Sequence, residues 1–221
     1  MKQTLLILGF VACLATPLTA QWLGMPAWNS AKGGTGVTFY GDYGAPNDIA
    51  GKGNAFGGRA ALGVGTITLT VGVASSKPDS MNSRATSYGG TAAFRLIGGS
   101  LIPVSVNLQL GAAHNSAVTS GTKTQFGQTT VLGAVGLSVP LPTPGISVEP
   151  FFSPGIRYHK VSNAPTGIKD HQTNFGWVIG GNFSFGLVGI HVAYDSEKFD
   201  NGTHGVLGVG ADVGLRLPMG L

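Results

Sequence analysis

The 221-residue sequence has little charge, one cysteine and no long internal apolar run. Charged residues make up 10% of the chain, against about a quarter in a soluble globular domain, so an ordinary water-facing surface is not expected. No internal stretch of about 18 apolar residues occurs, which excludes a helical membrane protein. The single cysteine is Cys13, so the chain beyond it has neither a disulfide framework nor thiol chemistry.

Apolar residues are instead spread one in two along the chain. In the stretch TITLTVGVA at 66–74, the threonines point to one face while Ile67, Leu69 and Val71 point to the other. Strict period-two alternation is typical of a β-strand with two unlike faces. The mean hydropathy is +0.24. Together these features predict a transmembrane β-barrel, whose strands alternate apolar-out and polar-in.

The first 20 residues have the form of a secretion signal. A positive start at Lys2 is followed by an apolar run from 5 to 14 and by small residues that end at Ala20. These are the three parts of a cleavable signal peptide. We therefore expect residues 1–20 to be a signal peptide that is removed during export.

A short segment separates this signal from the first alternating strand. Residues 21–34 contain Trp22 and Trp28, and tryptophan favours the membrane interface. We interpret the segment as a periplasmic N-terminal leader, with a short plug that enters the barrel as the alternative. The barrel itself is then expected to span residues 35–221.

The remaining chain divides into ten alternating segments joined by turn-rich stretches. Long polar stretches alternate with short ones, as the extracellular loops and periplasmic turns of outer-membrane barrels do. This order predicts an all-β fold, a ten-stranded antiparallel up-and-down meander with both ends in the periplasm. The predicted strands are 35–43, 55–64, 66–74, 87–97, 103–113, 127–139, 146–159, 173–184, 187–196 and 205–217. The predicted long loops are 44–55, 75–86, 114–125, 160–172 and 196–204.

Aromatic side chains indicate that the apolar faces look at lipid. A soluble, lipocalin-like barrel would turn these faces inward and would have no reason to place aromatic residues at one level. Six of the ten strands carry an aromatic residue on the apolar face beside a long loop, which is the position of an interfacial girdle. The predicted girdle residues are Tyr43, Phe56, Tyr88, Tyr158, Phe175 and Tyr194.

Charged residues on the polar faces are expected to point into the barrel. Such charges are tolerated in a low-dielectric interior when they pair, and the strand order places Asp42 near Arg59 and His191 near Asp212. Either these charges form a salt-bridged filling that makes the barrel rigid, or they line a narrow channel. The predicted lumen charges are Asp42, Arg59, Arg95, Glu149, Arg157, His191, Asp195, Asp212 and Arg216.

The signal peptide, the alternating strands and the asymmetric loops resemble those of small outer-membrane β-barrel proteins of Gram-negative bacteria. Leu215, Leu217, Met219 and Leu221 alternate to the last residue, similar to the C-terminal signal read by the barrel-assembly machinery. The resemblance implies an outer-membrane location. It also implies contact with outer-membrane lipid and lipopolysaccharide, and with the assembly machinery during biogenesis.

No arrangement of residues in the sequence predicts a catalytic, cofactor or metal site. His191 and Asp195 share a strand face, but four strand residues separate them by about 13 Å, too far for a hydrogen bond. The stretch 44–52 ends in Gly-Lys but lacks the spacing and the helix of a phosphate loop. No two of the remaining histidines have ligand-like spacing. These histidines are His114, His159, His171 and His204.

The sequence therefore favours a non-enzymatic outer-membrane barrel with a structural or surface-contact role. A narrow passive channel is the alternative, and an outer-membrane hydrolase of the lipid A deacylase or protease type comes third. The net charge of +4 is small and dispersed, so nucleic-acid binding is not expected. We expect the protein to be a monomer.

Overall fold

The structure is a computed structural model that describes residues 24–27, 35–99, 102–121, 123–164 and 169–215. The predicted signal peptide, Trp22, Trp28, Arg216 and the C-terminal alternation beyond Leu215 lie outside the described residues. Within the described ranges, no helix has the length and apolar character needed to cross a membrane.

The described residues include ten long β-strands and three short ones. The strands are β1 (Gly36–Pro46), β2 (Gly53–Val64), β3 (Ile67–Pro78), β4 (Ala85–Gly99), β5 (Ile102–Asn115), β6 (Val118–Ser120), β7 (Lys123–Gln125), β8 (Gln128–Ser138), β9 (Leu141–Thr143), β10 (Ile146–Val161), β11 (His171–Phe185), β12 (Val188–Phe199) and β13 (Gly202–Leu215).

The ten long strands form a closed antiparallel barrel. Each long strand pairs with the long strands before and after it in the sequence, and β1 pairs with β13 to close the ring. The short strands β6 and β7 form a separate hairpin between β5 and β8, and β9 pairs with the start of β10. The predicted ten-stranded up-and-down meander is confirmed.

The barrel is apolar outside and polar inside. In β3, Leu69, Val71 and Val73 are exposed while Thr70 and Ala74 are buried. The same alternation holds around the barrel: exposed large aliphatic and aromatic side chains cover the outer surface, and the interior is lined mostly by small and polar residues, with a few large apolar ones such as Phe151. In a water-soluble barrel the apolar faces would point inward, whereas a membrane barrel turns them toward lipid.

Most strands continue further toward the long-loop end than the alternation predicted. β3 runs to Pro78, and β12 runs to Phe199. The predicted long loop at 196–204 is wrong, because only Asp200 and Asn201 separate β12 from β13. An antiparallel ladder can continue above the lipid with polar residues on both faces, where the apolar alternation no longer marks it. The turn is tight because Gly202 adopts a φ of 134°, which is open to glycine.

The barrel wall is irregular at two places, one of them near the short-turn end. The pairing of β4 with β5 shifts register between Arg95 and Ile97, and again between Ile97 and Gly99. β10 contains Pro150 and Pro154; it keeps one register with β11 throughout, but its pairing with β8 skips residues 153 and 154. Because a proline removes a ladder donor, the wall is interrupted in the proline-containing strand as well as in β4.

Candidate functional site

Two groups of polar side chains occupy the barrel interior. The Asp42 cluster comes from β1, β2, β12 and β13, and consists of Tyr40, Asp42, Arg59, His191 and Asp212. The Glu197 cluster comes from β8, β10, β11 and β12, and consists of Gln128, Thr130, Arg157, His159, Asn174, Asp195 and Glu197. Tyr40 and Asp212 are half-buried and all the other members are buried.

The Asp42 cluster is built around one carboxylate with two basic neighbours, an arginine and a histidine. Arg59 donates from Nε to Asp42 Oδ2 at 2.6 Å and from Nη2 to Oδ1 at 3.1 Å, in a two-pronged contact. His191 Nε2 lies 2.7 Å from the same Oδ1, and its Nδ1 lies 3.5 Å from Asp212 Oδ2. The Arg59 guanidinium also stands 4.6 Å from the centre of the Tyr40 ring. Both residue pairs expected from the strand order are therefore close in space.

A glycine makes room for the Asp42 cluster. Gly210 of β13 pairs with Asp42 on one side and with His191 on the other. A Cβ at Gly210 would stand 2.3 Å from His191 Nε2 and 2.7 Å from Asp42 Oδ1. Any larger residue there would push the two bonded side chains apart.

The Glu197 cluster joins two carboxylates through one arginine. Arg157 Nη2 lies 2.8 Å from Asp195 Oδ1, and Arg157 Nη1 donates to Glu197 Oε2 at 3.1 Å. The second Glu197 oxygen, Oε1, accepts from Asn174 Nδ2 at 3.0 Å and lies 2.5 Å from His159 Nε2. Glu197 is thus bonded on both oxygens, as a buried carboxylate requires.

The far side of the His159 ring is also bonded. Gln128 Nε2 lies 2.6 Å from His159 Nδ1, and Thr130 Oγ1 lies 2.9 Å from it. Both ring nitrogens thus have partners, and these contacts fix the orientation of the His159 ring.

Residues 24–27 lie inside the barrel, whereas the interpretation of 21–34 placed them in a periplasmic leader. The backbone N–H of Ala27 donates to Asp195 Oδ2 at 3.2 Å. Met25 is buried over two wall glycines, since a Cβ at Gly57 would stand 2.3 Å from Met25 Cε and a Cβ at Gly44 would stand 3.2 Å from Met25 Cγ. The wall is hollow at these glycines and Asp195 accepts the hydrogen bond of Ala27, so this short segment fits the lumen better than the membrane surface.

The structure also places the remaining predicted lumen charges. Glu149 is buried on the inward face of β10. Arg95 is half-buried at the irregular end of β4 and donates from Nη2 to the carbonyl oxygen of Gly65 at 3.2 Å. Asp212 also borders a pocket of about 180 Å³ at the short-turn end, together with Thr38 and Ser184. Arg216 lies outside the described residues.

The predicted lumen charges include only Arg157 and Asp195 of the seven members of the Glu197 cluster. The predicted strand ends at 196, so Glu197 falls in the predicted loop. The signal was present: Asp195 and Glu197 are two residues apart, as are Arg157 and His159, and residues two apart share a strand face. Neutral members such as Asn174 could not be recognised by their charge. Only the register between strands brings them close to Glu197.

One arrangement in the Glu197 cluster resembles the components of a hydrolase. Thr130, His159 and Glu197 form a hydroxyl–imidazole–carboxylate chain, the order that activates a nucleophile. All three are buried, and the amide of Gln128 competes for the same imidazole nitrogen. Among the described residues, no group of three or more His, Cys, Asp or Glu side chains could hold a metal ion.

The exterior of the barrel carries the predicted aromatic residues. All six are exposed, and Tyr43 faces Phe56 across β1 and β2 with ring centres 5.2 Å apart. Trp177, which the sequence analysis did not single out, stands between Phe152 and Tyr194 with ring-centre distances of 6.3 and 5.9 Å. A closed barrel with an apolar, aromatic-bearing exterior and a charged interior is suited to lipid. The chain forms an outer-membrane β-barrel.

Solved structures that resemble this chain are outer-membrane barrel proteins. A bacterial polysaccharide outer membrane secretin aligns with 75% of this chain at 14% identity and a TM-score of 0.46. The β domain of the Bordetella autotransporter BrkA aligns with 81% of this chain at 11% identity and a TM-score of 0.48. The outer-membrane enzyme PagL aligns with 80% of it at 12% identity and a TM-score of 0.41.

The similarity differs in extent among these proteins. This chain covers 57% of the secretin chain, 98% of the BrkA domain and 99% of PagL. No family model matches the chain, and no curated protein matches it.

Proposed function

We propose that the protein is a sealed, non-enzymatic outer-membrane barrel that acts by stabilising the membrane and through contacts of its outer-end loops. The observation that carries this proposal is that the charged side chains of the interior are almost completely buried. The side chains of Asp42, Asp195 and Glu197 are 0% exposed, and those of Arg59 and Arg157 are 2% and 7% exposed. A water-filled pore would leave such groups hydrated.

The contacts of these charges support a filling role. Every carboxylate in the two clusters faces a cation or an imidazole of the same cluster, at distances between 2.5 and 3.5 Å. Residues 24–27 take up further interior space beside Asp195. Ten strands also enclose far less space than the 16–18 strands of open porins.

The long-loop end of the barrel offers a polar surface for contacts with other molecules. Lys52 pairs with Asp48 at 3.5 Å, and Lys169 with Asp200 at 3.4 Å, all on exposed side chains. His171 Nδ1 lies 2.7 Å from Asp170 Oδ1, and this hydrogen bond holds the pKa of the loop carboxyl below its ordinary value. Mixed exposed charges of this kind suit reversible surface contact and not a buried reaction centre.

Two measurements test the proposal. The purified full chain is inserted into planar lipid bilayers, where we expect no conductance steps. Cells without the protein are expected to become more sensitive to detergent, and the wild-type chain should restore their resistance. Stepwise ion conductance by the wild-type protein would show a narrow channel instead. Hydrolysis of lipid A or of a peptide by the wild-type chain would also contradict the proposal.

A further inference from the structure

Two cations stand on the outside of the barrel, immediately above the lipid-facing surface of β2, β3 and β4. Ser76 and Ala85 are the last paired residues of β3 and β4, so Lys77 and Arg84 occupy the next facing positions. Arg84 is exposed and Lys77 is half-buried. They lie on the outward side because Ser76 and Ala85, one residue away on each strand, point into the barrel.

The guanidinium of Arg84 is held in a fixed position. It donates from Nε to Ser75 Oγ at 2.9 Å, from Nη1 to Asn54 Oδ1 at 2.8 Å, and from Nη2 to the carbonyl oxygen of Ser75 at 2.8 Å. It also lies 5.2 Å from the centre of the Phe56 ring. All these partners are neutral, so the positive charge stays uncompensated at the level of the aromatic girdle.

No carboxylate among the described residues comes within ion-pair distance of Lys77 or Arg84. Lys52 and Lys169, at the same end of the barrel, each have such a partner. Lys77 lies beside Arg84, which stands just before the start of β4, and two like charges that lie near each other repel. An anion bound between them would remove this repulsion.

The surface below the two cations is suited to acyl chains. Phe56 and Tyr88 are 53% and 60% exposed, and Val71 and Val73 are 64% and 53% exposed on the same outward side. A ligand that binds both the two cations and the apolar surface below them has an anionic head at the height of Lys77 and Arg84. Its hydrocarbon tail lies along β3. Most donors of Arg84 are engaged by Ser75 and Asn54, so the attraction to a phosphate is that of the charge, and cations at headgroup height attract anionic lipid.

We propose that Lys77 and Arg84 bind the phosphate of an outer-leaflet lipid whose acyl chains lie against Val71 and Val73. Binding is non-covalent, and the lipid stays in the membrane. The site lies on the outer wall, so it is independent of the interior clusters and of whether the barrel conducts ions.

The test compares lipid retention by variants of the full chain. Each variant is placed in phosphatidylcholine nanodiscs with phosphorylated lipid A or with the same lipid after removal of its phosphates, and bound lipid is quantified. We expect K77Q and R84Q each to lower the affinity for phosphorylated lipid A about fivefold. The dephosphorylated lipid should show no difference between variants. The matched control is K198Q, which neutralises an exposed lysine on β12.

Folding is checked by heat-modifiable gel mobility, because Arg84 also joins Asn54 to Ser75. R84K keeps the charge but loses the planar fork, and K77Q leaves all the hydrogen bonds of Arg84 in place, so one charge can be removed from a folded barrel. Equal loss with K198Q would overturn the proposal, as would retention that ignores the phosphates. Inorganic phosphate that binds as tightly as the lipid would show a site for free phosphate, and would also overturn it.

Discussion

Each interior cluster contains one arginine, but the two arginines contact different numbers of buried carboxylates. In the Asp42 cluster, Arg59 and His191 share one buried carboxylate. In the Glu197 cluster, Arg157 alone bridges two buried carboxylates, Asp195 and Glu197. Burial penalises a charge that has lost its partner far more than it rewards the pair. The two arginines are similarly buried, but removal of Arg157 should cost more free energy of unfolding than removal of Arg59.

Arg157→Ala should have the largest effect. It would leave Asp195 with only the Ala27 N–H and Glu197 without its arginine, so we expect the free energy of unfolding to fall by about 3–5 kcal/mol. The measurement is the urea dependence of heat-modifiable gel mobility in phospholipid vesicles. Adding Asp195→Asn to Arg157→Ala should recover part of the loss. A loss below 1 kcal/mol would show that water already reaches these carboxylates.

Arg59→Ala should cost less, about 2–3 kcal/mol, because His191 still bonds Asp42. The same urea titration applies. The double variant with Asp42→Asn should lose less than the sum of the two single variants, since the residues are in direct contact. Losses that simply add would mean that the pair does not interact. A loss larger than that of Arg157→Ala would reverse the comparison.

Gly210→Ala tests whether the Asp42 cluster depends on space in the wall. The new Cβ would overlap His191 Nε2 and Asp42 Oδ1, and we expect a loss of about 2 kcal/mol. Gly41→Ala is the matched control on the neighbouring strand, because nothing lies within 4 Å of a Cβ there. If both variants unfold at the same urea concentration, the cluster can move aside at no cost.

Asn174→Ala should have the smallest effect, about 1 kcal/mol. It removes one neutral donor from Glu197, which keeps Arg157 and His159. Thr173→Ala, one residue away on the exposed outward face of β11, is the control and should leave the midpoint unchanged. A loss as large as that of Arg157→Ala would mean that the amide and not the arginine holds the Glu197 cluster together.

Sequence alone determined the barrel and the direction of its faces. Period-two alternation is a local property, so segments such as 66–74 report both the strand and the side that carries Leu69 and Val71. The strand count followed from the turns, and the Asp42–Arg59 contact followed because the two strands are consecutive and joined by one loop. These features need no knowledge of distant parts of the chain.

Tertiary structure alone decided where the strands end, what fills the lumen and how the Glu197 cluster is composed. The alternation stops where the wall leaves the lipid, so it did not show that β12 continues past 196 and brings Glu197 to Arg157. The entry of Met25 and Ala27 into the lumen depends on the hollow over Gly57 and on a hydrogen-bond acceptor at Asp195. These two features lie on strands that are far apart in sequence. Their closeness in space leaves no periodic pattern in the sequence.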